Sequence, residues 1–188
     1  MQKESTNTSI SFETLLDQEQ QGIDSDYNVE LATLLKSKQL TIAVIESVTG
    51  GGIARKLVEV PGSSSYFLGG VIAYHSKMKL QYGLVQPKTI RENGLVSAAV
   101  TEEMAAGIRK MTQADIAIAS NGIAGPRNED YSKIKEGTVF LSWNIHDKIK
   151  KTKRFNIEGA RNEVINKSVF TALSMCLLYL KNEIRKDV

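Results

Sequence analysis

The chain is poor in the residues from which recognisable chemistry is most often built: its 188 residues include one cysteine, two histidines, one tryptophan and three prolines. A single cysteine, Cys176, can form neither an internal disulfide nor a cysteine metal cluster, and its place in a long apolar helical stretch fits a reducing cytoplasm. His75 and His146 are too few for a histidine-rich metal site, and they are the only two histidines a Ser-His-Asp triad could recruit. No dense basic run is interleaved with aromatics. The 24 Lys+Arg against 21 Asp+Glu leave a net charge of +3 spread through the sequence, so nucleic acid is not an expected partner. No uninterrupted apolar run reaches the ~18 residues of a membrane span, and the polar N-terminus lacks a signal-peptide core. A membrane is therefore not expected either. The standard phosphate-binding loops are missing too, as is the G-x-S-x-G of a nucleophile elbow.

What remains is enough for one domain with a substantial core, since 41% of the residues are hydrophobic. Residues 1–27 are polar apart from Phe12, Leu15 and Leu16 and read as a mobile extension with one or two helical turns. The domain is expected over residues 28–188. Asn28 caps a helix to Lys36; residues 41–45 form a short β-branched strand of the kind buried on both faces; residues 66–74 form a second, where Gly69 and Gly70 allow a bulge or close backbone approach. Ser76 opens a short helix and Pro87 another, which stops at Asn93-Gly94. The clearest amphipathic helix, residues 97–111, is capped by Ser97 or Thr101 and puts Val100, Met104, Ile108 and Met111 on one stripe. Residues 114–119 make a third strand, and residues 120–136 a long loop. Strict alternation over residues 138–146 places Val139, Leu141, Trp143 and Ile145 on one strand face, and a turn at 146–148 leads into a lysine-rich edge strand. A last helix, residues 160–185, carries Val164, Val169, Leu173, Cys176, Leu177, Leu180 and Ile184 into the core. Early strand-helix alternation followed by a hairpin predicts a single α/β domain, three-layer α/β/α with a mixed sheet.

The chemistry centres on residues 41–52 (TIAVIESVTGGG), a strand that runs through Glu46-Ser47-Val48-Thr49 and three glycines into a helix. Ser47 thus stands at a helix mouth, where N–H groups and the helix dipole favour a phosphate, a carboxylate or a developing oxyanion. On the residues alone Ser47 is either an N-cap, the commoner role for such a serine, or a nucleophile.

Four pieces occur in order: Glu46-Ser47-Val48-Thr49-Gly50-Gly51, Val60-Pro61-Gly62-Ser63-Ser64, Tyr74 followed five residues on by Lys79, and Gly122-Ile123-Ala124-Gly125-Pro126. Together they resemble the CinA C-terminal domain family, whose characterised members are nicotinamide-nucleotide amidases. The resemblance runs from about Asn28 to the C-terminus. It implies hydrolysis of nicotinamide mononucleotide to nicotinate mononucleotide and ammonia, with no metal or cofactor, by a cytoplasmic homodimer whose partner is a small-molecule nucleotide amide. Ser47 matches the nucleophile, Lys79 the family's lysine, and Tyr74 a neighbouring polar group. Thr49, Gly50, Gly51, Asn121, Gly122, Ala124, Gly125 and Arg161 match positions that contact the ligand, the backbone around Gly122 and Gly125 being suited to an oxyanion or a phosphate. CinA proteins often carry a further N-terminal domain, for which residues 1–27 are too short.

A serine must lose its proton to attack an amide, and with histidines scarce a lysine is the available base. Lys79 must then be neutral, which requires a pKa brought down toward ~7–8; otherwise it is an ordinary solvated helix lysine. The chain departs from the family pattern at Val48 (usually Cys), Asn121 (Thr), residues 127–131, residues 134–135 (Lys-Pro), Ala160 (Asp) and Ile165 (often Arg). These departures fall on the expected ligand pocket. They leave open an alternative, a catalytically silent domain that binds a nucleotide or a protein partner.

Overall fold

The computed structural model describes residues 27–126, 134–146 and 148–184. The expected N-terminal extension, apart from Tyr27, and residues 127–133 of the long loop lie outside the described residues.

The sheet is built around strands that have no solvated face. Strand β1 (Ile42–Glu46) is buried at every position, as a short β-branched run with helices above and below should be. It pairs in parallel with β2 (Phe67–Ile72) on one side and with β3 (Ile116–Gly122) on the other. Strands β4 (Thr138–Ile145) and β5 (Ile149–Asn156) add antiparallel beyond β3, giving the order β2-β1-β3-β4-β5. This is the mixed sheet expected, with lysine-rich β5 at one edge. In β2 the register shifts by one residue between Phe67 and Gly69, where Gly69 takes φ 134°, and a Cβ on Gly70 would stand 2.4 Å from Val44 Cγ2. The glycine pair therefore provides both a bulge and a close approach.

Strand periodicity then divides the core into two layers. Ile42, Val44, Ile118, Leu141 and Trp143 face a layer made by α1 (Tyr27–Ser37), α2 (Gly52–Val58) and α6 (Arg161–Ile184). Ala43, Ile45, Ala117 and Ala119 face α5 (Ala98–Thr112), with α3 (Ser76–Tyr82) and α4 (Pro87–Asn93) packed alongside it. Ser97 caps α5, its Oγ accepting from Val100 N at 3.3 Å, and Val100, Met104 and Ile108 are buried as their stripe predicts. Alanines on this sheet face let α5 come close. At Gly107 its backbone reaches the end of α3, where an added Cβ would sit 2.0 Å from Gly83 O.

Three expectations change. Met111 is 48% exposed, since the stripe runs past the sheet before the helix ends. Ser120, Asn121 and Gly122 belong to β3 and not to the loop; their polarity suggests a loop, but they pair with Leu141, Phe140 and Val139 of β4, and Ser120 also with Glu46 of β1. Helix α6 is buried on nearly all sides through its middle, Ser168, Thr171 and Ser174 included, while Ile184 at its end is only partly covered. By length and composition α6 is the one described helix that could cross a membrane, yet 67% of its most apolar window lies inside the fold, as in the core helix of a globular domain.

Candidate active site

The parallel strands β1, β2 and β3 end on the same side, and the chain leaves β1 for β2 and returns to its other flank as β3. The crevice beyond such carboxyl ends is where open α/β sheets bind ligands. A cavity of about 370 Å³ lies there, walled by Ser47 and Val48 after β1, Tyr74, His75, Ser76 and Lys79 after β2, Leu95 and Val96, residues 121–124, Pro126 and Arg161.

Ser47 is not a cap. The mouth of α2 is filled instead by the Glu46 carboxylate, which accepts from Gly51 N (3.0 Å) and Ile53 N (3.1 Å) at Oε2, from Ala54 N (2.8 Å) at Oε1, and from the Thr49 hydroxyl at 2.6 Å. Glu46 is 1% exposed, and these bonds supply the donors a buried carboxylate needs. Thr49 Oγ1 also meets Ser120 Oγ at 2.6 Å. Because the threonine proton is committed to Glu46, Ser120 donates in this pair. Ser47 N in turn donates to Ser120 O at 2.9 Å. The turn is thus fixed from beneath, and no described residue hydrogen-bonds the Ser47 hydroxyl on the cavity wall.

Lys79 is drawn inward. It lies on α3, whose N-cap is His75 rather than Ser76: the imidazole Nδ1 accepts from Lys77 N at 3.2 Å. The Lys79 side chain is 1% exposed and its Nζ donates to Ala73 O at 2.8 Å. Burial holds its pKa down to about 8, well below the ordinary lysine value. Ala73 N donates to Glu46 O at 2.6 Å, so one residue links the β1 terminus to the buried amine.

The CinA C-terminal domain model matches residues 24–180. The chain belongs to this family. A CinA-like protein of Thermotoga maritima is 40% identical over 165 residues, covering 87% of this chain and 40% of that protein. A putative competence-damage inducible protein of Halothermothrix orenii is 39% identical over 150 residues, covering 80% of this chain and 36% of its own length. The chain therefore spans about two fifths of the curated relatives it matches. Among solved structures, the competence or damage-inducible protein from Enterobacter asburiae superposes with TM-score 0.79 at 30% identity over 82% of this chain and 96% of that one. The competence damage-inducible protein A from Klebsiella pneumoniae gives 0.78 at 31% identity over 83% and 96%. The single α/β/α domain is thus a CinA-superfamily fold.

In this CinA domain the residues expected at the site fall into two groups. Ser47, Lys79, Tyr74, Asn121, Gly122, Ala124 and Arg161 share the cavity wall. Thr49, Gly50 and Gly51, expected to touch ligand, stand off that wall: the Thr49 hydroxyl and Gly51 N–H are already taken by Glu46, so the helix mouth has no free anion site there. Gly125 is also off the wall and contributes its carbonyl, which accepts from Arg161 at 2.6 Å. Tyr74, 61% exposed, is at the rim, its hydroxyl accepting from the second Arg161 nitrogen at 3.1 Å. Sequence reasoning missed Ser120 and gave His75 no role; the signal for His75 was its place just ahead of the lysine helix. Among the described residues no group of three or more His, Cys, Asp or Glu could hold a metal ion.

Proposed function

We propose that this CinA-family protein hydrolyses the carboxamide of nicotinamide mononucleotide to nicotinate mononucleotide and ammonia, with Ser47 as nucleophile and Lys79 as its base. One observation carries the reading: a lysine 1% exposed, with a pKa of about 8, shares a cavity wall with a serine whose hydroxyl no described residue engages. Structural lysines are rarely buried without an acidic partner, and this one has a single carbonyl.

In this scheme the neutral Lys79 amine takes the Ser47 proton as Oγ bonds to the amide carbon. The Val48 N–H, next in the chain, is the oxyanion donor. The lysine proton then passes to the departing nitrogen, the C–N bond breaks and ammonia leaves an acyl ester on Ser47. Water attacks that ester, giving a proton to Lys79, which returns it to Ser47 Oγ as the ester C–O bond breaks, so that serine, the neutral amine and the carboxylic acid are regenerated. Arg161 at the rim faces the nucleotide phosphate, with Tyr74 and Gly125 setting the guanidinium plane.

The alternative, a silent binding domain, draws on Ile165, which packs against the apolar core where the family often has arginine. Ammonia release from nicotinamide mononucleotide, compared between the unmodified protein and Ser47→Ala, separates the two. Release by the first alone supports hydrolysis; equal background release by both leaves the binding reading.

A further inference from the structure

Asn121 holds a polar atom that the fold leaves unused. The residue is 1% exposed, sits in β3 opposite Phe140, and lines the cavity together with Ser47 and Lys79. Its Nδ2 donates to Leu95 O at 2.9 Å, while its Oδ1 is buried with no hydrogen-bond partner. The orientation is fixed chemically: exchanging the two atoms would set an oxygen against the Leu95 carbonyl. Buried acceptors without partners are uncommon, and one on a side chain whose residue lines the cavity points to a partner that comes with the ligand.

That partner must be a donor. A primary carboxamide offers two N–H groups beside the carbonyl that Ser47 attacks, whereas the ionised carboxylic acid formed by hydrolysis offers only lone pairs, which Oδ1 repels. Resting on the reading that this cavity takes an amide, we propose that Asn121 Oδ1 accepts an N–H of the ligand's primary carboxamide, and that this contact makes the site select amide over acid. The contact favours entry of substrate and exit of product. Asn121 is then a specificity residue that touches the substrate without moving a proton.

The test is binding in a Ser47→Ala background, where no turnover interferes. Calorimetry with matched amide and acid pairs, nicotinamide and nicotinate mononucleotide and the two corresponding ribosides, gives an amide-to-acid affinity ratio. The expected ratio is roughly 10- to 100-fold, the size of one hydrogen bond lost to an unpaired acceptor. Adding Asn121→Leu, near in volume but unable to accept, should bring the ratio toward one, with thermal melting to verify folding. Should that variant not fold, Asn121→Ala, which also removes the acceptor, takes its place in the same measurement. Equal binding of amide and acid, preference for the acid, a ratio untouched by Asn121→Leu, or binding of no member of the panel each overturns the inference. Failure of the hydrolase reading is separate: ammonia release with an Asn121-independent ratio keeps the enzyme and loses this contact, whereas amide preference without ammonia release does the reverse.

Discussion

Two charged side chains are buried to the same degree beneath one cavity, and their surroundings differ. Glu46 and Lys79 are each 1% exposed. Glu46 is met by three backbone N–H groups and a hydroxyl, Lys79 by one carbonyl. Full satisfaction makes the first a structural anchor that holds the Ser47 turn. Burial, with no acidic partner to offset it, lowers the pKa of the second and keeps a neutral amine accessible near pH 8.

The comparison breaks most visibly at the amine. Lys79→Met should lower kcat for amide hydrolysis by about 10³-fold or more, as loss of a general base does. In the unmodified protein kcat/KM should rise with pH through about 8 and level off above it, because the neutral amine is the working form. A profile flat from pH 6 to 9.5 would remove Lys79 from that role.

Next in size comes the anchor. Glu46→Ala leaves three backbone donors without an acceptor, that of Ile53 buried and those of Gly51 and Ala54 partly so, and should cost roughly 3 kcal/mol, against about 1 to 2 for Glu46→Gln, which retains one acceptor oxygen. Urea unfolding measures both; equal, small losses would show that the bonds at the α2 mouth are dispensable.

Lys79 should behave in the opposite sense. Its folded pKa lies below the unfolded value, so between about pH 8 and 10.5 the unfolded chain binds the extra proton and stability rises with pH. Below pH 8 the whole penalty is present. Lys79→Met should therefore stabilise the protein by roughly 2 to 3 kcal/mol at pH 7, and the gain should shrink toward zero by pH 10.5. A loss of stability at pH 7 would contradict this. The smallest effect is expected at the single exposed bond of the α3 cap: His75→Ala should cost ~1 kcal/mol or less. A larger loss in melting would mean that this cap fixes the helix carrying Lys79 more firmly than one bond can.

The parts of the molecule governed by short-range rules were legible in the sequence. Ser97 caps its helix because a hydroxyl three residues before an N–H can do so locally, and the alternation from Thr138 onward is the pleat itself. The resemblance located Ser47 and Lys79, but burial of the Lys79 side chain is a tertiary property with no local signature. Glu46 follows the expected strand 41–45 with no sign in the sequence of its partner; that its side chain turns back to fill the next helix's mouth depends on the glycines folding the chain over it. Ser120 and Asn121 look like loop in the sequence because polar residues at a strand end read alike whether water or neighbouring strands satisfy them.

Helix α6 joins distant parts of the chain. Its middle is enclosed by the sheet and by α1, where Tyr27 meets Phe170 edge to face at 5.0 Å and Trp143 reaches across to donate to Ala172 O at 2.8 Å. Neither α1 nor α6 can peel away without baring the larger of the two cores, so amide protons in the centre of both should exchange with deuterium together and only through global opening. The domain's earliest described segment and its latest would then be the slowest to admit solvent.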